Sequence, residues 1–134
     1  MGRAFLPAFC LLMISNIVIS QNDLKVEITG LHNDKGIIML QLFDEGHNIV
    51  SQHKGTIKEK KSVIIIKNLK TSKYAIRYFH DENLNGTMDT NLTGMPTEGY
   101  GFSNDAYGMF GPKPFGSWIF EVKENKKIVL KTKY

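Results

Sequence analysis

Between Leu24 and Thr29 the chain alternates Leu24, Val26 and Ile28 with Lys25, Glu27 and Thr29, and between Ser62 and Leu69 it reads SVIIIKNL. β-Branched side chains lose rotamer freedom in a helix and pack well on a pleated surface. A period of two sends one set of side chains to the core and the other to solvent. Both runs therefore predict half-buried strands, the first ended by Gly30. Gly36 to Phe43 (GIIMLQLF) predicts a more buried strand, and Asn33-Asp34-Lys35-Gly36 before it suits a short hairpin loop. Lys73 to His80 (KYAIRYFH) follows the Ser62–Leu69 run after three residues, which again predicts a hairpin. Phe115 to Lys123 and Lys126 to Tyr134 predict a last pair joined at Glu124-Asn125. Asp44 to Lys61 has room for one edge strand, near Gly55 to Lys60. No stretch after residue 20 keeps a 3.6-residue apolar period. Six or seven short strands in one domain predict an all-β fold. Within that class the expectation is a two-sheet Greek-key β-sandwich, immunoglobulin-like or transthyretin-like, with one long ordered loop.

Residues 1–20 read as a secretory signal peptide rather than as part of the fold. Arg3 supplies a positive start, Ala4 to Ile19 is mostly apolar, and Val18 and Ser20 flank a plausible cut before Gln21. The apolar run is short of the roughly 20 residues a membrane helix needs. The expected product is exported, periplasmic or extracellular, with residues 21–134 as one domain. The single cysteine, Cys10, leaves with the leader, so no disulfide is available and the core must hold the fold. No later segment is apolar enough to span a membrane. Without Arg3 the charged side chains number sixteen basic and thirteen acidic, a net charge of about +3. The lysines are scattered and not interleaved with rings, so nucleic acid is not expected as a partner.

His80 to Asp105 is the segment that carries chemistry. Asp81, Asn83 and Asn85 place side-chain oxygens at alternate positions, Gly86 follows, then Thr87 and Asp89. This is the ligand order of a calcium loop: side-chain oxygens at positions 1, 3 and 5, glycine at 6, a carbonyl at 7 and an oxygen at 9. Position 12, a bidentate glutamate in the helix-flanked version, is Leu92 here. The expectation is a Ca²⁺ site at Asp81, Asn83, Asn85, Thr87 and Asp89, with Glu98 or Asp105 available to complete the shell. Two assured carboxylates imply affinity on the order of 10⁻⁴–10⁻³ M. Asp, Asn and Gly also form tight turns without a metal, so a metal-free loop is the competing expectation.

The loop continues to Pro114 with Tyr100, Phe102, Tyr107 and Phe110. Disordered tracts are poor in aromatics, so this predicts an ordered excursion pinned by its rings. Its rings would offer a surface to a protein partner or a glycan. The four histidines lack metal spacing. No G-x-S-x-G elbow is present, and Ser103 reads as a turn residue. The function expected is a non-catalytic binding module. The alternative is a small hydrolase or carbohydrate-active enzyme using Glu98, Asp105 or His80, which needs two of those groups across a cleft.

Three strings are specific enough to carry a resemblance: His80-Asp81-Glu82-Asn83-x-Asn85-Gly86-x-x-Asp89, Gly94-x-Pro96-x-Glu98-Gly99-Tyr100-Gly101-Phe102-Ser103-Asn104, and Gly111-Pro112-Lys113-Pro114-Phe115. With the opening Leu24-x-Val26-x-Ile28-x-Gly30-Leu31 and the Tyr74-Ala75-Ile76 strand, the chain resembles the bacterial domain-of-unknown-function family 2141. The resemblance implies a small exported bacterial β-sandwich. It implies no activity, substrate or metal.

Overall fold

The structure is a computed structural model that describes Gly2 and residues 14–134. Ten strands follow one another: β1 (Gln21–Thr29), β2 (Ile37–Asp44), β3 (Ile49–Gly55), β4 (Ser62–Lys70), β5 (Ser72–Asp81), β6 (Tyr100–Phe102), β7 (Tyr107–Gly108), β8 (Gly111–Pro112), β9 (Phe120–Val122) and β10 (Lys126–Lys131). The helical content among the described residues is two single turns of 3₁₀ type, Ser103–Asp105 and Phe115–Trp118. One sheet has the order β10-β1-β4 and the other β3-β2-β5-β6, with β9 also on β5. β7 and β8 form a small separate ribbon. The fold is all-β, in an arrangement consistent with a β-sandwich.

The alternation dictates the packing. Leu24, Val26 and Ile28 are fully buried and meet Ile38, Leu40, Leu42, Ile76 and Tyr78 of the other sheet in one apolar cluster. Polar partners of the same strands point outward, as the period of two requires. A residue-by-residue slip would reverse both faces at once, so burial itself fixes the register.

β1, β2, β4, β5 and β10 form where the alternation puts them, but the predicted hairpins are corrected. β1 pairs with β4 and β10, not with β2. β5 pairs with β2, β6 and β9, not with β4. β9 and β10 lie in different sheets. The reason is the same each time: both partners carry an apolar face, and crossing between sheets sets those faces against each other. After Gly30 (φ +74°) the chain drops Leu31 into the core and crosses over instead of returning. Among the long strands β2–β3 does form a hairpin, closed by Asp44, whose carboxylate accepts from the Asn48 amide at 2.9 Å. That edge strand lies at Ile49–Gly55, ahead of the predicted position. Of the predicted Phe115–Lys123 strand only Phe120–Val122 forms, because Pro114 starts a 3₁₀ turn with the Ser117 amide donating back to its carbonyl at 2.8 Å.

The second sheet is covered on its outer face as well. Phe43, Ala75, Phe102, Ala106 and Trp118 form a second buried cluster there, flanked by Tyr100, Tyr107 and Phe115. Phe102 lies 4.4 Å from Trp118, centroid to centroid. The excursion after β5 is thus ordered by its rings, and it folds back as β6, β7 and β8. Most of the predicted leader lies outside the described residues, Cys10 included. Its described end is open: Ile17 and Val18 are 84% and 86% exposed, and β1 begins at Gln21. Among the described residues no helix is long and apolar enough to cross a membrane.

Candidate functional site

Asp81 ends β5, opposite Ile37 in register, and is buried. Gly36, just before Ile37, has φ +69°, and a Cβ there would run into the Asp81 carbonyl and the Glu82 Cα. The close approach requires glycine. It fixes where the loop leaves the sheet. The two carboxylate oxygens of Asp81 then divide their work: Oδ1 accepts from the Asn85 amide at 3.1 Å and Oδ2 from the Gly86 amide at 2.8 Å. Asn83 Oδ1 accepts from the Asn85 amide and Asn85 Oδ1 from the Thr87 amide, at 3.2 and 3.0 Å. The alternating residues thus wind the backbone by side-chain-to-amide turns. Leu84 (φ +60°) and Gly86 (φ +78°) take the left-handed bends.

Three of the predicted ligands, Asn83, Asn85 and Asp89, meet through their side chains. The Asp89 carboxylate receives Asn85 Nδ2 at 2.7 Å on Oδ1 and Asn83 Nδ2 on Oδ2. The predicted extra carboxylates do not join them. Glu98 is buried, with Oε1 accepting from the Glu82 amide at 3.0 Å and Oε2 from the Asp89 amide at 3.1 Å. It staples both ends of the loop. Asp105 is exposed and accepts from the Lys131 amide at 3.0 Å. Among the described residues no three acidic, histidine or cysteine side chains gather as metal ligands. The loop itself carries two carboxylates, Asp81 and Asp89, and the side-chain amides of Asn83 and Asn85.

His80 is completely buried. Its Nε2 donates to the Lys35 carbonyl. Its Nδ1 lies 2.8 Å from the Tyr134 hydroxyl, which also accepts from the His32 amide at 3.0 Å. Glu82 Oε1 lies 3.6 Å from Nδ1. Burial, foremost, raises the pKa of the Tyr134 phenol. This histidine ties three segments together, and both ring nitrogens are occupied.

The segment Glu98 to Asn104 is likewise architectural. Gly101 faces Tyr78 across the β5–β6 ladder, and a Cβ there would sit inside the Tyr78 ring. Phe102 enters the second cluster. Ser103 opens the 3₁₀ turn Ser103–Asp105, as its sequence context predicts, and it is also fully buried: its Oγ accepts from the Ile76 amide at 2.9 Å and donates to the Trp118 carbonyl. Asn104, at φ +59°, donates to the carbonyls of Ser117 and Ile119 at 3.1 and 2.9 Å. Tyr107 sets its hydroxyl on the carbonyls of Tyr100 and Lys131, and burial pushes its pKa up to about 12.

Beside the loop lies a feature that sequence reasoning missed. Cross-strand register builds two rows on the outer face of the second sheet. One runs Lys54, Met39, Phe79, Tyr100 and the other Gln52, Gln41, Arg77, Phe102. These rows floor a groove of about 770 Å³. Gly86, Thr87 and Met88 form one wall, with Met95 and Pro96 beyond them, and Phe110 and Pro112 of the β7–β8 ribbon form another. The volume falls within the usual range for small-molecule sites. None of His80, Glu98 or Asp105 lines it. The odd residue in the sequence was Arg77, a cation in the middle of an otherwise apolar strand; the partners that make it part of a groove come from other strands.

No curated protein and no solved structure matches the chain. One family model does, over residues 26–129, and its description is "Uncharacterized protein conserved in bacteria (DUF2141)". That span takes in every strand from within β1 to within β10, together with the loop and the groove, and the chain belongs to that uncharacterised bacterial family.

Proposed function

We propose that the protein is an exported, non-catalytic β-sandwich module in which the Asp81–Asp89 loop binds calcium and forms the wall of a groove that receives a partner or glycan. The observation that carries this reading is shared geometry: the loop in which Asn83 and Asn85 meet Asp89, and Asp81 holds the turn between them, also supplies Gly86, Thr87 and Met88 to the groove. Asp81, Asn83, Asn85 and Asp89 would hold the ion with their side-chain oxygens, and Thr87 with its carbonyl. The Asn83 and Asn85 side-chain amides donate to Asp89, so holding a cation there would exchange those hydrogen bonds for it. That exchange and the count of two carboxylates keep the affinity modest, on the order of 10⁻⁴–10⁻³ M.

Greek-key wiring is part of the proposal, and the strand orders favour its transthyretin-like form. An immunoglobulin constant domain joins its first, second, fourth and fifth strands in one sheet. Here β1 and β4 share a sheet with β10, while β2 and β5 share the other with β3. Export, periplasmic or extracellular, is supported by the exposed residues 14–20 and by β1 starting at the predicted cut. The hydrolase alternative has less support, since Glu98, Asp105 and His80 are each committed to backbone groups and face no common cleft.

A calcium melting series tests the proposal. Calcium at tenfold over its dissociation constant stabilises a folded state by about 1.4 kcal/mol, or about 5 °C for a domain of this size. Wild type should gain that shift, and Asp89→Asn should lose most of it while still folding. An equal shift in both, or none in wild type, refutes the metal site.

A further inference from the structure

We infer that the groove binds an anionic amphiphile, its carboxylate held by Arg77 and Lys54 and its aliphatic tail lying over Met39, Phe79, Met88 and Met95. The inference rests on the groove reading above and replaces its glycan alternative with a small amphiphile.

Charge supplies the first argument. Lys54 and Arg77 are the formally charged side chains of the groove, and its lining has no aspartate or glutamate. Arg77 donates through Nε (3.2 Å) and Nη2 to Gln41 Oε1, and its guanidinium carbon lies 5.5 Å from the Phe43 centroid. A guanidinium has five N–H donors in a rigid fork. Gln41 takes two of them, and among the described residues no other side chain accepts from the remaining three. Among the described residues no carboxylate pairs with Arg77. An arginine held in place by an amide and a ring, with donors to spare and no acid nearby, is prepared for a bidentate anion. Repulsion of a cationic head follows from the same pair of charges.

The second argument is the body of the groove. Met39, Phe79 and Tyr100 lie side by side on the floor, and Met88 and Met95 overhang it from the loop wall. Thioether side chains are flexible and polarizable, and they fit themselves to flexible apolar ligands. A sugar would need hydroxyl partners along its whole length. Here the amides of Gln41 and Gln52 sit at the Arg77 end, and the Gln41 oxygen is already engaged. Lys54, Gln52, Gln41 and Arg77 thus line the same groove as Met39, Phe79, Met88 and Met95, and a few polar groups beside a run of apolar ones is the pattern of an amphiphile.

The protein contains one tryptophan, and Trp118 lines the groove. Its fluorescence can therefore be titrated with sodium dodecanoate below the micelle concentration, beside dodecyltrimethylammonium and dodecyl maltoside. The expected result is saturable dodecanoate binding at least about tenfold tighter than either comparison compound, from one charge-assisted bidentate contact. Arg77→Gln should bring dodecanoate down to the level of the maltoside, and Arg77→Lys should retain part of the preference. If Arg77→Gln fails to fold, judged by its urea transition, the wild-type head-group series still decides. Equal binding of all three head groups overturns the anion claim and leaves the groove reading standing. No saturable dodecanoate binding overturns the inference outright, while the calcium shift, read separately, continues to report on the loop.

Discussion

The two faces of the β3-β2-β5-β6 sheet are built from the same strands and do opposite things. The inner face presents Ile38, Leu40, Leu42, Ile76 and Tyr78 to a second sheet that seals it completely. The outer face presents Met39, Gln41, Arg77 and Phe79, and only its lower half is sealed, by Phe102, Trp118 and their neighbours. Its upper half stays open between two loops. A flat sheet can close one face with another sheet; it closes the other only with whatever chain is left. Here that chain is the Asp81–Pro114 excursion, and it both covers and leaves room.

The contrast is broken most forcefully by truncating neighbours in sequence. Leu40→Ala opens a cavity in the sealed face and should cost about 3 kcal/mol in urea unfolding. Met39→Ala, one residue away on the open face, should cost about 1 kcal/mol or less. Similar costs would mean the outer face is as tightly packed as the inner. Between these two lies Glu98→Gln. The substitution turns an NH₂ donor toward one of the two amides that Glu98 now accepts from, leaving a buried donor unpaired, at about 2 kcal/mol. It should also lower the calcium-induced melting shift, since the staple holds the loop; an unchanged shift would show that loop and staple are independent.

The smallest effect is alkaline. Burial raises the pKa of Tyr78 on the inner face and of Tyr107 on the outer, the latter to about 12. Unfolded tyrosines ionise near pH 10, so between there and the folded values the unfolded state holds fewer protons. Stability is then full below about pH 10 and falls as pH rises toward about 12. Tyr107→Phe should weaken that dependence without removing it, because Tyr78 remains. Urea midpoints from pH 9 to 12 measure both, and identical profiles would mean that Tyr107 is not protected.

The long strands β1, β2, β4, β5 and β10 were readable from the local sequence, because burial of every second residue is written into it, whereas the short β6, β7 and β8 were not. The partners of the long strands were not readable either. Asn33-Asp34-Lys35-Gly36 has hairpin chemistry, yet the decisive fact is that Leu31 enters the core beside it, and a period of two names a face and not a neighbour. The loop was legible for the same local reason, since Asp81, Asn83, Asn85 and Asp89 interact within nine residues. Glu98 looked like a ligand or an acid because its two amide partners, Glu82 and Asp89, sit across the loop. Ser103 read correctly as a turn, but nothing local reports the Ile76 amide it also meets. The groove was invisible for the same cause: Lys54, Met39, Phe79 and Tyr100 become one row only through register across four strands.

The claim that loop and groove are one site has a direct test in amide chemical shifts of the labelled protein during a calcium titration. The account predicts saturable shifts at Asp81 to Asp89 that extend to the groove wall at Met88 and Met95 and leave β1, β4 and β10 unmoved. Shifts confined to scattered surface acids, or none at all, would contradict it.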